Sequence, residues 1–264
     1  INICTFNKKL KFKFNNFYNP TIENHIKNNF EIAKNYYYEV LKIAPNHLDA
    51  NNNLGSIYLT LGDLENAKKH FYKIEEINPN YQDAIYNLAL VFQNEGKLNE
   101  AINYYDKLIK INPKNEKVHN NIGVIYRILG NLKKAKKSFE DASKINPKFE
   151  NSLNNLAIVS RELDNIDEAI FYYEKILNIN PNHVDALCNY GILLNSLGDY
   201  LKAREYCEKA VKINSKYDIG FNKLGTVYKS LGLFEKEKKS YKKAIEINPN
   251  NIEEHKNLYD LYIT

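Results

Sequence analysis

Six of the seven prolines, Pro45, Pro79, Pro113, Pro147, Pro181 and Pro249, stand on a 34-residue ladder, with Ser215 on the vacant rung. A period of this length means that one supersecondary unit recurs, too small to bury its own apolar face and obliged to stack on copies of itself. With proline taken as position 32, residues 48–251 divide into six units: 48–81, 82–115, 116–149, 150–183, 184–217 and 218–251. A degenerate leading unit at 14–47, a terminal or capping half unit at 252–264 and a basic flank at 1–13, read as a disordered tail with a basic docking arm or strand-like tail as the alternative, complete the chain. Nine of the ten glycines then fall on two positions. Position 8 reads Gly55, Ala89, Gly123, Ala157, Gly191, Gly225, and position 15 reads Gly62, Gly96, Gly130, Asp164, Gly198, Gly232.

The two halves of each unit carry a helical period. Ile85, Leu88, Ala89 and Phe92 are spaced three and four apart, as one face of a helix requires, and Ala101, Tyr105 and Leu108 repeat that spacing in the second half. Glycine at position 15 supplies the positive φ that ends the first helix, and proline at 32 stops the second. Small residues at 8 and 20 let the two helices approach closely. Tyr104–Tyr105 and Tyr172–Tyr173 read as one core and one surface ring each. His119 falls on a packing position, while His47 and His183 follow the proline in their loops. In the leading unit Ala33, Tyr37 and Val40 fit a second helix, and Pro20 predicts a shortened or distorted first one.

Composition removes several function classes. A net charge of +5 from 37 basic and 32 acidic residues is too small and too evenly matched for a chain built to neutralise phosphates, and residues 1–47 alone carry seven lysines against three glutamates. No nucleic-acid partner is expected. No apolar run is long enough to span a bilayer, so no membrane insertion is expected either. Cys4, Cys188 and Cys207 form neither a C-x-x-C pair nor an even set, so the expected setting is a reducing, intracellular one, taken as cytoplasmic. Methionine is absent, including at position 1, and the chain is therefore expected to be a piece of a longer protein. The 41 asparagines and 34 lysines against three arginines look like codon drift, which weakens surface Asn and Lys as functional signals.

The run Asn53–Gly55 with Tyr58, Gly62, Ala67, Phe71 and Pro79 resembles the tetratricopeptide repeat, and all six units agree in register. Unit 218–251 departs from it with Glu237 for alanine, and unit 184–217 with Cys207 for an aromatic residue; Tyr259 occupies a small-residue position in the half unit. The resemblance implies an all-α, right-handed superhelical solenoid of helix-turn-helix repeats, with positions 2, 5, 6, 9, 12 and 13 of the first helices lining a concave groove.

Position 6 of that implied groove reads Asn53, Asn87, Asn121, Asn155, Asn189, then Lys223, then Asn257. A row of amides offers donors and acceptors that can hold an extended main chain. It is similar to the asparagine ladder in the repeat arm of O-linked N-acetylglucosamine transferases. Replacing Asn121 and Asn155 by alanine is expected to weaken partner binding with little change in stability. Arg127 and Arg161 recur at position 12, with Lys229 at the same place two units on, and suit carboxylate recognition; the bland alternative pairs Arg127 with Glu162. Leu90, Val124, Ile158 and Ile192 make position 9 apolar, with Tyr86 at position 5. The expected partner is a protein or peptide segment that is part acidic and part apolar. The carboxylate clamp of chaperone-binding members is incomplete, because position 5 never carries lysine and position 9 never asparagine.

No catalytic residue, metal site or cofactor is expected. The six histidines are scattered, the glycines are absorbed by the repeat, and Cys188 at inward position 5 is the one candidate for a reactive thiol. The expected function is a non-enzymatic scaffold or adaptor that binds an extended peptide. The alternative is a non-catalytic recognition arm of a larger enzyme such as a protein O-glycosyltransferase, and self-association through uncapped ends is a third reading.

Overall fold

The computed structural model describes residues 29–250 and Lys256, and every element in it is an α-helix. The basic flank 1–13, Pro20 with the first half of the leading unit, and the half unit at 252–264 with Asn257 and Tyr259, Lys256 apart, lie outside the described residues. The chain divides into two compact units, Ile1–Ile125 and Tyr126–Thr264. The first holds α1 (Phe30–Ile43), α2 (Leu48–Thr60), α3 (Leu64–Ile77), α4 (Gln82–Asn94) and α5 (Leu98–Ile111); α6 (Glu116–Ile128) has residues in both. The second holds α7 (Leu132–Ile145), α8 (Glu150–Glu162), α9 (Ile166–Ile179), α10 (Val184–Ser196), α11 (Tyr200–Ile213), α12 (Asp218–Ser230) and α13 (Phe234–Ile247).

Each hairpin begins and ends by local chemistry. The carboxylates of Asp63 and Asp199 and the amide oxygen of Asn131 accept the backbone N–H three residues on, capping α3, α11 and α7. Two of the first helices, α2 and α10, use an unexpected cap: Nδ1 of His47 accepts from Ala50 N at 3.0 Å, and Nδ1 of His183 from Ala186 N at 3.1 Å. At the turn Gly62 takes φ +79°, and the N–H of Asp63 reaches the Tyr58 carbonyl at 2.9 Å, the six-to-one bond that closes a left-handed helix end. Asp164 does the same work at φ 62°, the one positive φ outside glycine among the described residues.

Asparagine at position 31 has a structural use. Asn78, Asn112, Asn146, Asn180 and Asn214 each accept from the backbone N–H two residues on, at 3.1–3.3 Å, forming a side-chain turn around the proline, or around Ser215 in the case of Asn214. Composition alone assigned these residues to drift. Asn180 and Asn248 also donate to Glu150 and Asp218 at the start of the same unit, at 3.0 and 2.8 Å.

The core lies where the two helices of a hairpin meet and where the second helix meets the first helix of the next hairpin. In the first unit Ala67, Phe71 and Ile74 of α3 pack with Ala84, Leu88 and Val91 of α4. In the second, Ala169, Tyr173 and Ile176 of α9 pack with Ala186 and Tyr190 of α10. Each of the larger apolar side chains among them, such as Phe71, Leu88 or Ile176, contributes about 1.5–3 kcal/mol when removed from water. Position 8 is small by necessity: a Cβ on Gly55 would sit 2.6 Å from Phe71 Cε1, and one on Gly225 2.5 Å from Tyr241 Cε1. Ala33, Tyr37 and Val40 are buried in α1 as expected, and Tyr105 and Tyr173 are core rings beside half-buried Tyr104 and Tyr172. His119 corrects the sequence reading: it is half-exposed, and its Nε2 bonds the Pro113 carbonyl at 3.0 Å, a loop-fastening role rather than a packing one.

Candidate protein-binding face

Within each unit the first helices of successive hairpins touch one another, α2 with α4 in the first, and α8 with α10 and α10 with α12 in the second. The face they share carries positions 5, 6, 9 and 12.

In the first unit Asn53, Asn87 and Asn121 are half-buried at position 6, with half-buried Tyr86, Leu90 and Val124 beside them. Both N–H groups of Asn87 are committed, to Asn52 Oδ1 at 3.0 Å and Ser56 Oγ at 3.3 Å. Those of Asn121 go to the hydroxyls of Tyr86 and Tyr105, each at 3.0 Å. Asn53 makes no side-chain hydrogen bond with a described residue of this unit. The bonds from Asn87 to Asn52 and from Asn121 to Tyr86 span one repeat plus one residue, from position 6 to position 5 of the hairpin before. They stitch hairpins together and leave the amide oxygens as what Asn87 and Asn121 offer a ligand.

The second unit repeats the stitch. Asn189 Nδ2 donates to Asn154 Oδ1 at 3.2 Å, and Lys223, in the ladder position of α12, donates its Nζ to Asn189 Oδ1. Burial pushes the Lys223 pKa down from its ordinary value. Asn155 is half-buried at position 6, and Ile158 and Ile192 are half-buried at position 9. At position 12 the arginines diverge. Arg127 grips Glu162 with Nε at 3.0 Å and Nη2 at 2.8 Å. Arg161 is half-buried and makes no ion pair with a described residue, since the residue one repeat plus one further on is Ser196 rather than a carboxylate. Lys229 is exposed at position 12. Asn195, the remaining position-12 residue of this unit, donates to Ser230 Oγ at 3.0 Å.

Cys188 is not the accessible thiol that its inward position suggested. It is buried, and it is hydrogen-bonded to the buried Cys207 of the partner helix, whose pKa is raised by that bond and by burial. Two small residues at position 8, Gly191, and position 20, Ala203, draw α10 and α11 close enough to seal both sulfurs inside. Among the described residues no three His, Cys, Asp or Glu side chains gather to hold a metal ion, and no helix is long and apolar enough to cross a membrane.

These hairpins have known counterparts. The tetratricopeptide repeat matches residues 48–81, 116–149, 151–183, 172–205 and 220–251, and a model described as TPR repeat matches 94–127. No curated protein matches the chain. Among solved structures it is similar to a tetratricopeptide repeat protein from Parabacteroides merdae, at 18% identity and TM-score 0.78 over 96% of this chain and 99% of that one. It is similar also to Pseudomonas aeruginosa PilF, at 25% identity and TM-score 0.67 over 81% of this chain and 97% of that one. A chain of the APC/C hetero-tetramer Cut9-Hcn1 matches at 18% identity and TM-score 0.73 over 86% of this chain; this chain spans 46% of its length. The likenesses show an all-α helical-repeat solenoid. With small residues where the helices cross, left-handed turns at position 15 and family matches over most of its length, the chain belongs to the tetratricopeptide repeat family.

Proposed function

We propose that the chain is a protein-interaction scaffold whose first-helix faces hold an extended peptide segment of a partner. The repeat hairpins support the scaffold reading in general. The peptide reading is carried by the allocation of hydrogen bonds at position 6. With the N–H groups of Asn87 and Asn121 directed at neighbouring hairpins, their oxygens are the acceptors left for the N–H groups of an extended main chain. In the second unit Arg161 and Lys229 supply positive charge and Ile158 and Ile192 apolar contact, which favours a segment with both acidic and apolar side chains; in the first, Leu90 and Val124 supply apolar contact.

Selecting a displayed random-peptide library on the chain, then titrating a recovered peptide by calorimetry, tests this. Enrichment of segments with acidic and apolar residues, and a loss of affinity of about fivefold or more for Asn53→Ala or Arg161→Ala, is expected. Enriched peptides whose affinity neither substitution changes would remove these faces from the function.

A further inference from the structure

The last described hairpin departs from the pattern of aromatic pairing seen in others. In α5 Tyr104 stacks on Phe92 of α4, ring centroids 5.3 Å apart; in α11 Tyr206 lies 5.0 Å from Tyr190; in α3 His70 stacks on Tyr58 at 5.9 Å. All three second-helix residues stand at position 23. In α13 that position is Ser240, opposite Tyr228 of α12. Beside that serine runs a cleft of about 1100 Å3, floored by Phe221, Leu224 and Tyr228 and edged mainly by lysines, among them Lys236, Lys239 and Lys243, with Glu235 and Glu246 also on its rim. Lys236 reaches over the Tyr228 ring, its Nζ 5.5 Å from the centroid.

The rim is unusual in its charge. Residues 236–243 hold five lysines. The same serine and the same lysine-over-tyrosine contact occur at Ser138, Lys134 and Tyr126, but there Lys136 is paired with Glu168 at 2.5 Å and Lys137 with Asp141 at 3.2 Å. In α13 Lys243 pairs with Glu246, whereas Lys239 and Lys242 are exposed and make no ion pair with a described residue.

We propose that the α12–α13 cleft is a second docking site, taking an aromatic side chain from a segment of a partner protein flanked by acidic residues. The entering ring displaces Lys236 from Tyr228 and occupies the place that Tyr104 and Tyr206 fill in their own hairpins, while carboxylates on either side meet the lysine rim. Charge complementarity selects an acidic segment, and the missing ring selects an aromatic one within it. The site lies on the side of α12 that faces α13, so it does not depend on the peptide reading of the position-6 row.

The test uses the whole chain and a fluorescein-labelled peptide with one phenylalanine among glutamates and aspartates, followed by fluorescence anisotropy. Saturable binding is expected, weakened about fivefold or more when alanine replaces the phenylalanine. Ser240→Tyr, which fills the cleft from within, is expected to lose binding without lowering the thermal midpoint, and Lys239→Glu with Lys242→Glu is expected to lose it through charge. Should Ser240→Tyr fail to fold, the exposed lysine pair carries the same test. Equal binding of the phenylalanine and alanine peptides, or full binding by the lysine double variant, would overturn the proposal. So would loss of binding on Asn53→Ala, which would move the peptide to the other face. Phosphatidylserine vesicles that capture the chain and are not displaced by the peptide would assign the lysines to a lipid surface instead.

Discussion

The Arg127 guanidinium holds the Glu162 carboxylate through Nε and Nη2, joining position 12 of one hairpin to position 13 of the next. The pair is partly open to water, with the side chains 38% and 27% exposed. Its net worth is therefore about 0–1 kcal/mol, and Arg127→Ala is expected to shift the thermal midpoint little. Glu162→Ala has a different consequence: it releases a second arginine beside Arg161 and is expected to raise affinity for acidic peptides, more at low salt than at high. Calorimetric titration at two ionic strengths checks this, and a salt-independent affinity would dissociate the arginines from binding.

Asn121 and Asn53 share position 6 but not a role. Asn121→Ala strands the Tyr105 hydroxyl, which sits in the core and is otherwise left with Gln93 at 3.5 Å, so a loss of about 1–2 kcal/mol is expected in urea unfolding. Asn53→Ala is expected within about 0.5 kcal/mol of the parent. The simpler expectation that Asn121 could be removed with little change in stability does not survive its two tyrosine partners.

Two glycines fail for opposite reasons. Gly55→Ala places a methyl 2.6 Å from the Phe71 ring and is expected to cost about 1–3 kcal/mol by overpacking. Gly62→Ala meets no atom within 4 Å, and its cost of about 1 kcal/mol comes from φ +79° alone. Gly62→Asn, which tolerates that φ, should recover part of the loss, whereas Gly55→Asn should not.

Glu237 occupies position 20, where other units have Ala67, Ala101, Ala135, Ala169 and Ala203. Its Oε2 is buried without a hydrogen-bond partner among the described residues, and burial raises its pKa above the usual carboxylate value. A carboxyl whose folded pKa is raised costs stability above that pKa and regains it as pH falls through it. Glu237→Ala is expected to stabilise by about 1–3 kcal/mol at neutral pH, with a gain that shrinks toward acid; an unchanged midpoint would refute the burial cost.

His70 shows the reverse linkage. Burial between Tyr58 and Asn51 lowers its pKa to about 4, so folding excludes a proton that the unfolded chain binds at its ordinary value near 6.5. Stability is expected to be full above about pH 6.5 and to decline as pH falls toward 4. His70→Phe should flatten that slope in denaturant titrations between these limits.

The hairpins were legible in the sequence because their causes are local. Proline at 32 and glycine at 15 terminate helices within a few bonds of themselves, and the three-and-four spacing of Ala101, Tyr105 and Leu108 marks a buried face wherever the helix goes. The histidine caps and the position-31 asparagine turns are equally local, yet were missed because His and Asn carry many roles and composition masked their period. What only the tertiary structure decided is where polar side chains spend their bonds. Asn87 and Asn121, alike in sequence, differ because position 5 of the preceding hairpin is Asn52 for one and Tyr86 for the other. Arg127 and Arg161 differ because Glu162 follows one and Ser196 the other, a full repeat and one residue away. Cys188 is sealed because Cys207 stands opposite it on α11. Such partners come from the neighbouring hairpin, or for Cys188 from the second helix of its own, and meet only once the helices pack, so periodicity predicts that a face exists, and packing decides which of its groups remain for a ligand.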